Sequence, residues 1–312
     1  MSGKSERQLR DFFDSVSDTG EGFHANCPRC DDSEKKFYFN EAKQVGCCFH
    51  ADCPWFKDRG GATEFRLRAF FGEGFRIKAP EILIQSKEAD VRLPKEFDLL
   101  DDDLAGDAHT KRMVLAYLAG RGLPKKLLAR AQVGYCETGK FWGYIIFPVF
   151  DNGEVVYWQG RRFKNRDPKF WNPASSKKTE IVFNLHTGMR PKRIVLVESV
   201  INALTLETER KPTVSAIFAL LGQNLSDIQM HKILVWERHV EEIVIALDSD
   251  AWKSAVEIAD KLYGSVPSVK LAKIPEGEDV NSVGRMAAWE AIFEAIPYHR
   301  ENRIDILHGG KS

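Results

Sequence analysis

The distribution of apolar and polar residues is most informative in two short apolar runs in the second half of the chain. Residues 193–197 read Arg-Ile-Val-Leu-Val and precede Glu198, and residues 243–247 read Ile-Val-Ile-Ala-Leu and precede Asp248 and Asp250. Continuous runs of Val, Ile and Leu are typical of buried parallel strands, and ligands bind at the carboxyl ends of such strands. The pattern therefore predicts three carboxylates at one sheet edge, where divalent cations would offset their mutual repulsion.

Strand and helix patterns alternate around these two runs. Predicted helices cover residues 200–208, 251–263 and 283–296. A further predicted strand covers residues 269–272, and residues 216–222 form another apolar run. Strands that alternate with helices are typical of an α/β unit with a mainly parallel sheet, and we predict this fold class for the C-terminal part of the chain.

The middle of the chain combines helix and hairpin patterns with a strong positive charge. Two predicted helices, residues 110–118 and 124–131, precede two strand patterns that flank the Asp-Asn-Gly turn at residues 151–153. Residues 111–193 carry seventeen Lys or Arg against five Asp or Glu, although the formal net charge of the whole chain is zero. Cations interleaved with Trp and Phe suit phosphates and stacked bases. An aromatic core with cations at its rim would produce the same pattern.

Five of the six cysteines lie close together near the N-terminus. Two groups supply the candidate ligands, Cys27 and Cys30 in the first and Cys47, Cys48, His50 and Cys53 in the second. Two close ligand groups separated by a hairpin are typical of a zinc ribbon, in which four S or N ligands surround one structural Zn²⁺. We assign Cys27, Cys30, Cys48 and Cys53 as the ligands. The wider spacing of the second pair leaves Cys47 and His50 open as substitutes.

The composition is that of a folded protein in a reducing compartment. Hydrophobic residues make up 43% and aromatic residues 11% of the 312 residues, which excludes disorder of the whole chain. The first ten residues are polar and charged, and no run approaches the roughly 18 apolar residues that a membrane span needs. Clustered thiols without a signal peptide therefore indicate a soluble, intracellular protein.

These observations predict an α/β chain, α+β overall, with five segments. They are a zinc-ribbon domain (1–79), a linker (80–107), a basic mixed α/β subdomain (108–191), an α/β domain with the acidic strand ends (192–298) and a tail (299–312).

In this order the features resemble the DnaG-type DNA primases of bacteria and phages, whose catalytic core has a TOPRIM fold. The resemblance covers about residues 22–296. Besides the acids, four motifs carry it: Tyr-Leu-Ala-Gly-Arg-Gly-Leu at 117–123, Ile-Phe-Pro-Val at 146–149, Gly-Arg at 160–161 and Pro-Lys-Phe-Trp-Asn at 168–172. The chain lacks the large ATPase region of a fused primase-helicase, so we expect a stand-alone, phage-type primase.

The resemblance implies synthesis of short RNA primers on single-stranded DNA during DNA replication, by two-metal nucleotidyl transfer. Glu198, Asp248 and Asp250 would hold Mg²⁺ or Mn²⁺, with Asp279 as a further catalytic acid. Template, ribonucleoside triphosphates or nascent RNA primer would contact Arg121, Arg161, Arg162, Lys169, Asn172 and Lys178. A replicative helicase is the implied partner, and the implied location is the cytoplasm, that of the bacterial host if the gene is a phage gene.

Several positions depart from the family pattern. Ser199 follows the glutamate where Gly is usual, and Asn202 and Asn281 stand where Asp is common. An asparagine can ligate magnesium through its carbonyl oxygen but brings no charge, so the resemblance implies a site with weaker metal affinity.

Other interpretations of the same residues compete with catalysis. Glu198 and Asp248 each precede a predicted helix and would serve there as helix caps. The chain would then be a non-catalytic replication module that binds single-stranded DNA, which Asn202 and Asn281 favour. Another TOPRIM phosphotransfer enzyme, such as a nuclease or topoisomerase, is the second alternative.

Overall fold

The computed structural model divides the chain into two compact units, Met1–Ser86 with Tyr263–Pro267, and Lys87–Leu262 with Ser268–Ser312. The structure describes residues 9–20, 22–40, 45–57, 62–63, 67, 70–71, 91–100, 109–151, 153–164, 167–173, 178–184, 191–207, 214–234 and 240–309. Most of the predicted linker lies outside the described residues. The finer predicted boundaries, at 107/108 and 191/192, fall within the second unit and stay a prediction.

The first unit contains an antiparallel sheet with its strands in chain order. Its elements are β1 (Ser17–Thr19), β2 (Gly22–Cys27), β3 (Asp32–Asn40), β4 (Val45–Cys48), α1 (Pro54–Lys57) and β5 (Ala62–Thr63). Phe23, Phe37 and Phe39 project from neighbouring strands and are completely buried. The Phe13 ring stacks on Phe37 with 4.8 Å between the ring centroids. Aromatic side chains therefore form the core against which the cysteine-bearing turns are built.

The second unit begins with another antiparallel sheet, in the strand order β10-β9-β8-β7-β6. Its elements are β6 (Phe97–Leu99), α2 (His109–Gly120), α3 (Lys125–Arg130), β7 (Gly134–Cys136), β8 (Tyr144–Asp151), β9 (Glu154–Arg162) and β10 (Phe170–Trp171). The predicted hairpin is present, because Asp151 pairs with Glu154 across the turn. Gly153 has a φ of +86° there, a conformation that glycine adopts at little cost.

The second sheet of this unit is mainly parallel and has the strand order β12-β11-β13-β14-β15. Its elements are β11 (Arg193–Val197), α4 (Val200–Leu206), β12 (Ser215–Ala219), α5 (Asp227–Leu234), β13 (Glu242–Ile245), α6 (Trp252–Leu262), β14 (Ser268–Leu271), α7 (Gly284–Phe293) and β15 (Ile296–Pro297). The four strands from β11 to β14 are parallel, and β15 pairs antiparallel with β14. The predicted α/β fold class with a mainly parallel sheet is confirmed.

The two sheets of the second unit share one hydrophobic core. It joins Leu118 and Leu127 of the first helix pair, Tyr157 of β9, and Val197 and Ile292 of the parallel-sheet layer. All seven residues of α4 are buried, as expected of a helix that packs on several sides. This common core fixes the position of the basic sheet relative to the carboxyl ends of the parallel strands.

The C-terminal end of the chain differs from the sequence prediction. Helix α7 ends at Phe293 rather than 296, because Ile296 and Pro297 pair with β14. Residues 300–309, predicted as part of a tail, form a 3-10 helix followed by α8 (Arg303–Gly309). The indole of Trp252 donates to the carbonyl oxygen of Ile306 at 3.0 Å, which holds this segment on α6. Within the described residues, no helix is both long and apolar enough to cross a membrane.

Candidate active site and metal centre

The acidic residues come together because β11 lies between β12 and β13 in the sheet. Glu198 directly follows β11, and Asp248 follows β13 by three residues. Neighbouring parallel strands end at the same edge, so the two carboxylates are delivered to one place by the strand order alone. Glu198 and Asp248 are half-buried, whereas Asp250 is exposed.

The acids at this edge influence one another electrostatically. Burial, then the charges of Glu198 and Asp279, raise the pKa of Asp248 to about 7. Burial also raises the pKa of Glu198, and Asp250 and Asp279 add to the effect, while a hydrogen bond from Gln223 and the charge of Lys178 oppose it. Carboxylates gathered at one sheet edge repel each other, and a cation bound among them would remove this repulsion.

Among the residues that the structure describes, one buried carboxylate oxygen of this cluster has no hydrogen-bond partner. The Oε2 atom of Glu198 is buried and accepts no hydrogen bond within the described part of the chain. A buried carboxylate oxygen without a donor is costly, and a bound cation would remove that cost. The donor set, all carboxylate oxygen, is the kind that Mg²⁺ prefers. The residues present therefore fit a divalent metal site.

Helix capping does not account for these acids. The cap of α4 is Ser199, whose Oγ accepts the backbone N–H of Asn202 at 3.2 Å. Asp248 precedes the 3-10 helix Ser249–Ala251, yet its side chain makes no capping hydrogen bond. It accepts instead a hydrogen bond from Nδ2 of Asn202, with 2.7 Å between Nδ2 and Oδ1. The serine thus does the capping, and both acids remain available for other chemistry.

The two asparagines that replace family acids have different surroundings. Asn202 is 2% exposed and supplies the cluster with a hydrogen-bond donor where a further carboxylate would add repulsion. Asn281, expected as an uncharged magnesium ligand, instead accepts a hydrogen bond from Arg121 through its Oδ1 atom at 2.7 Å. Its backbone N–H donates to Oδ1 of Asp279 at 2.8 Å. Oδ1 of Asp279 also accepts the backbone N–H of Ser282 at 2.8 Å, so Oδ2 is the oxygen of Asp279 with more acceptor capacity left for the acid cluster.

Lys178 lies at the same edge of the sheet. It is the first residue of the 3-10 helix Lys178–Glu180. Its Nζ atom lies close to Gly222, in the turn after β12, because a Cβ atom added to that glycine would be 3.0 Å from it. Phe183 pairs antiparallel with Ala219, so the 178–183 segment lies along the edge strand. The amide of Gln229 holds the segment by donating to the carbonyl oxygens of Ile181 at 2.8 Å and Leu220 at 2.9 Å. The ammonium group of Lys178 therefore lies near the acids, and its charge acts on Glu198.

The predicted nucleic-acid residues of the basic sheet divide between its two faces. Arg161 pairs with Ile145 and lies 4.6 Å from the Phe170 ring, whereas Arg162 lies 4.2 Å from the Tyr144 ring. Successive residues of a strand point to opposite faces, so the two arginine side chains leave the sheet on different sides. Asn172 is exposed and accepts a hydrogen bond from the Tyr157 hydroxyl at 2.6 Å, and Lys169 is exposed.

The four assigned cysteines form one cluster in the first unit. The sulfur atoms of Cys27, Cys30, Cys48 and Cys53 all lie within 4.8 Å of one another. Cys47 instead directs its sulfur toward backbone carbonyl oxygens, 3.5 Å from that of Cys48 and 3.9 Å from that of Trp55.

The surroundings of Cys48 suit a thiolate ligand. The backbone N–H of His50 donates to its sulfur at 3.4 Å. Burial raises the pKa of Cys48 to about 12, so without a cation the thiol form is strongly favoured. Four converging sulfur atoms in a buried setting fit tetrahedral Zn²⁺.

Comparison with known proteins identifies the parallel-sheet part of the chain. A family model described as Toprim domain matches residues 193–289. This segment is a Toprim domain. Two curated relatives are named DNA primase: one from Mycoplasma genitalium, 31% identical over 121 residues, and one from Deinococcus radiodurans, 23% identical over 217 residues. These alignments cover 37% and 55% of this chain but only 19% and 37% of the relatives, so the chain spans a minor part of their length.

A solved structure shows the same fold. The chain superposes on "Structure of the DnaG primase catalytic domain bound to ssDNA" with a TM-score of 0.50 and 19% identity, over 61% of this chain and 74% of that chain. The resemblance to DnaG-type primases is thereby confirmed for the fold and for the Toprim domain.

Sequence reasoning missed some polar residues of the Toprim site. Gln223 follows β12, and its side chain donates to Glu198. Gln223 is not among the predicted site residues, although a polar residue after an apolar strand is the same signal that selects Glu198. Thr205, which accepts a hydrogen bond from Asn281, carries no signal in the sequence because it lies within an apolar helix.

Proposed function

We propose that this chain is a DNA primase that synthesises RNA primers on a single-stranded DNA template. The observation that carries the proposal is the pairing of Glu198 and Asp248 at adjacent strand ends, partly buried, electrostatically coupled and not used as caps. The Toprim match and the names of the curated relatives support it.

Glu198, Asp248 and Asp250 would hold Mg²⁺ or Mn²⁺, with Asp279 beside them. When bound, divalent ions of this kind stabilise an attacking 3′-oxygen and a departing pyrophosphate. The protein's own part is to position the reactants and to supply fixed charge. Asn202 orients Asp248 through its hydrogen bond, and Gln223 does the same for Glu198.

The cations divide into two groups by position. Lys178 and Arg121 lie near the acids, in contact with the Gly222 turn and with Asn281, and would bind triphosphate or nearby backbone phosphate. Arg161, Lys169 and Asn172 would contact template or nascent RNA on one part of the basic sheet, and Arg162 would contact nucleic acid on the opposite face.

The remaining components follow from the same proposal. The four-cysteine cluster would hold one structural Zn²⁺, and this zinc ribbon would help to select the template sequence at which synthesis starts. A replicative helicase is the proposed protein partner, and the cytoplasm is the proposed location.

Primer synthesis on a panel of short single-stranded templates tests the proposal. The reactions contain labelled ribonucleotides with Mg²⁺ or Mn²⁺, and the products are separated on a gel. Short RNA is expected from the wild type, and Asp248→Ala should abolish it. Asp305→Ala, which removes an exposed acid of α8, is the matched control and should retain product. Template binding without product under every condition would favour the non-catalytic module, and cleaved DNA would favour a nuclease.

A further inference from the structure

Both polar atoms of the Asn281 side-chain amide make hydrogen bonds. Its Oδ1 atom accepts from Nη1 of Arg121 at 2.7 Å, and its Nδ2 atom donates to the backbone oxygen of Arg121 at 2.9 Å and to Oγ1 of Thr205 at 2.8 Å. A guanidinium nitrogen can only donate and a peptide oxygen can only accept, so just one orientation of the amide satisfies both neighbours. Asn281 therefore recognises the side chain and the backbone of the same arginine.

The Arg121 guanidinium is fixed on two sides. Besides the bond to Asn281, its Nε atom donates to the Tyr117 hydroxyl at 2.9 Å, and the group lies 5.1 Å from the centre of that ring. Its Nη2 atom makes no hydrogen bond within the residues that the structure describes, and the side chain is half-buried. A guanidinium held in this way presents an oriented, charged donor edge, which suits a phosphate oxygen.

Asn281 also connects this arginine to the acid cluster. Its backbone N–H donates to Oδ1 of Asp279 at 2.8 Å, and the charge of Asp279 acts on both Glu198 and Asp248. One residue therefore joins a fixed cation from the end of α2 to the acidic edge of the Toprim sheet.

We propose that Asn281 is a positioning residue that holds Arg121 beside the acid cluster, so that the free guanidinium edge binds a phosphate group. This inference rests on the proposed function, which supplies the two sources of phosphate, a ribonucleoside triphosphate and the backbone of the template. In this view Asn281 is not a weakened metal ligand, because the positive charge of Arg121, bonded to its carbonyl oxygen at 2.7 Å, disfavours a cation at that oxygen.

An aspartate could not do the same work. It has the same shape, but it has a carboxylate oxygen where the amide has its NH2 group. That oxygen would lie against the backbone oxygen of Arg121, to which the amide donates at 2.9 Å, and two acceptors repel each other. Thr205 could not replace the lost donor, since its hydroxyl already donates to the carbonyl oxygen of Ile201 at 2.8 Å. A carboxylate would also offset the charge of Arg121 that phosphate binding requires.

Binding measurements on Asn281→Asp test the inference without depending on catalysis. We expect about tenfold weaker binding of the phosphate ligand, the usual size for loss of one charge-assisted hydrogen bond. The slope of log affinity against log salt concentration should fall by about one if the ligand is the template. Anisotropy titrations with a labelled single-stranded oligonucleotide and with a labelled ribonucleotide distinguish the two sources of phosphate. Gln132→Glu, the same amide-to-acid exchange at an exposed site, should bind both like the wild type.

A double-mutant cycle shows whether the effect passes through Arg121. Asn281→Asp should weaken binding in the wild-type background and have little further effect on Arg121→Gln. Equal effects in both backgrounds, or unchanged affinity for both ligands, would overturn the proposal. If Asn281→Asp is unfolded in a thermal melt, Thr205→Val provides the same test with a smaller expected loss. Running the cycle in Asp248→Ala separates the two hypotheses, because the coupling should persist there even if no variant synthesises RNA.

Discussion

Replacing Asn202 by aspartate exchanges a hydrogen bond in the acid cluster for a repulsion. In the native protein Nδ2 of Asn202 lies 2.7 Å from Oδ1 of Asp248, and Asn202 is 2% exposed. The substitution keeps the shape of the side chain and removes its donor. It also introduces the residue that the family pattern favours at this position. Comparison of the variant with the wild type therefore measures what the asparagine contributes in this chain.

The expected loss of stability follows from the geometry. A hydrogen bond to a charged group contributes roughly 1.5–3 kcal/mol, and two unit charges about 4 Å apart repel by about 4 kcal/mol at an effective dielectric constant near 20. Uptake of one proton by the carboxylate pair would relieve most of the repulsion. We therefore expect the free energy of unfolding of the second unit to fall by about 3 kcal/mol at pH 8 without metal. For a unit of this size, this corresponds to a melting temperature lower by about 6–12 °C.

Divalent metal should reverse the effect. A bound cation offsets the added carboxylate, so Mg²⁺ should raise the melting temperature of Asn202→Asp by more than that of the wild type. Scanning calorimetry with EDTA and with a Mg²⁺ series measures both quantities, and Gln132→Glu serves as the charge-matched control. If the metal-free variant melts with the wild type, or if Mg²⁺ shifts both equally, the acid cluster is not the repulsive site described here.

Three further predictions concern the zinc cluster, a buried ion pair and a helix cap. Cys48→Ser should abolish stoichiometric zinc, measured by metal analysis, and the thermal transition of the first unit, whereas Cys47→Ser should retain both because its sulfur lies outside the cluster. Arg130→Met should destabilise the second unit by about 3 kcal/mol in urea, since it removes the ion pair of a carboxylate on Glu207 that is 1% exposed. Ser199→Ala should cost about 1 kcal/mol in the same assay and Ser199→Gly only a few tenths, as loss of the α4 cap requires; equal losses would contradict the capping role.

The parts of the site that could be predicted from sequence depend on local patterns. Glu198 and Asp248 were found because a buried parallel strand is recognised from five consecutive residues and its carboxyl end follows directly. The cysteine ligands were found for the same reason, since their spacing is local. The two-residue period of a strand is also a local rule, and it predicts that Arg161 and Arg162 point to opposite faces of the sheet. Both residues are nevertheless assigned from the sequence to one set of nucleic-acid contacts.

The parts that could not be predicted depend on partners far away in the chain. Asn281 and Arg121 are separated by 160 residues, so nothing near either one indicates that the asparagine amide is needed. The end of α7 is set by pairing of Ile296 with β14, which ends the helix earlier than its own periodicity suggests. Long-range pairing overrides local propensity at such places.

The amide of Gln229 has a consequence for motion. It is 2% exposed and donates to carbonyl oxygens of Ile181 and Leu220, which belong to segments about forty residues apart. Separation of the 178–183 segment from β12 would leave the Gln229 amide and its two carbonyl acceptors without these hydrogen bonds. The backbone around Lys178 should therefore open only together with the edge strand β12 and with α5. Hydrogen exchange should therefore report one cooperative unit there. If a nucleotide binds at this edge as proposed, we expect the Lys178 side chain to rearrange while its backbone stays in place.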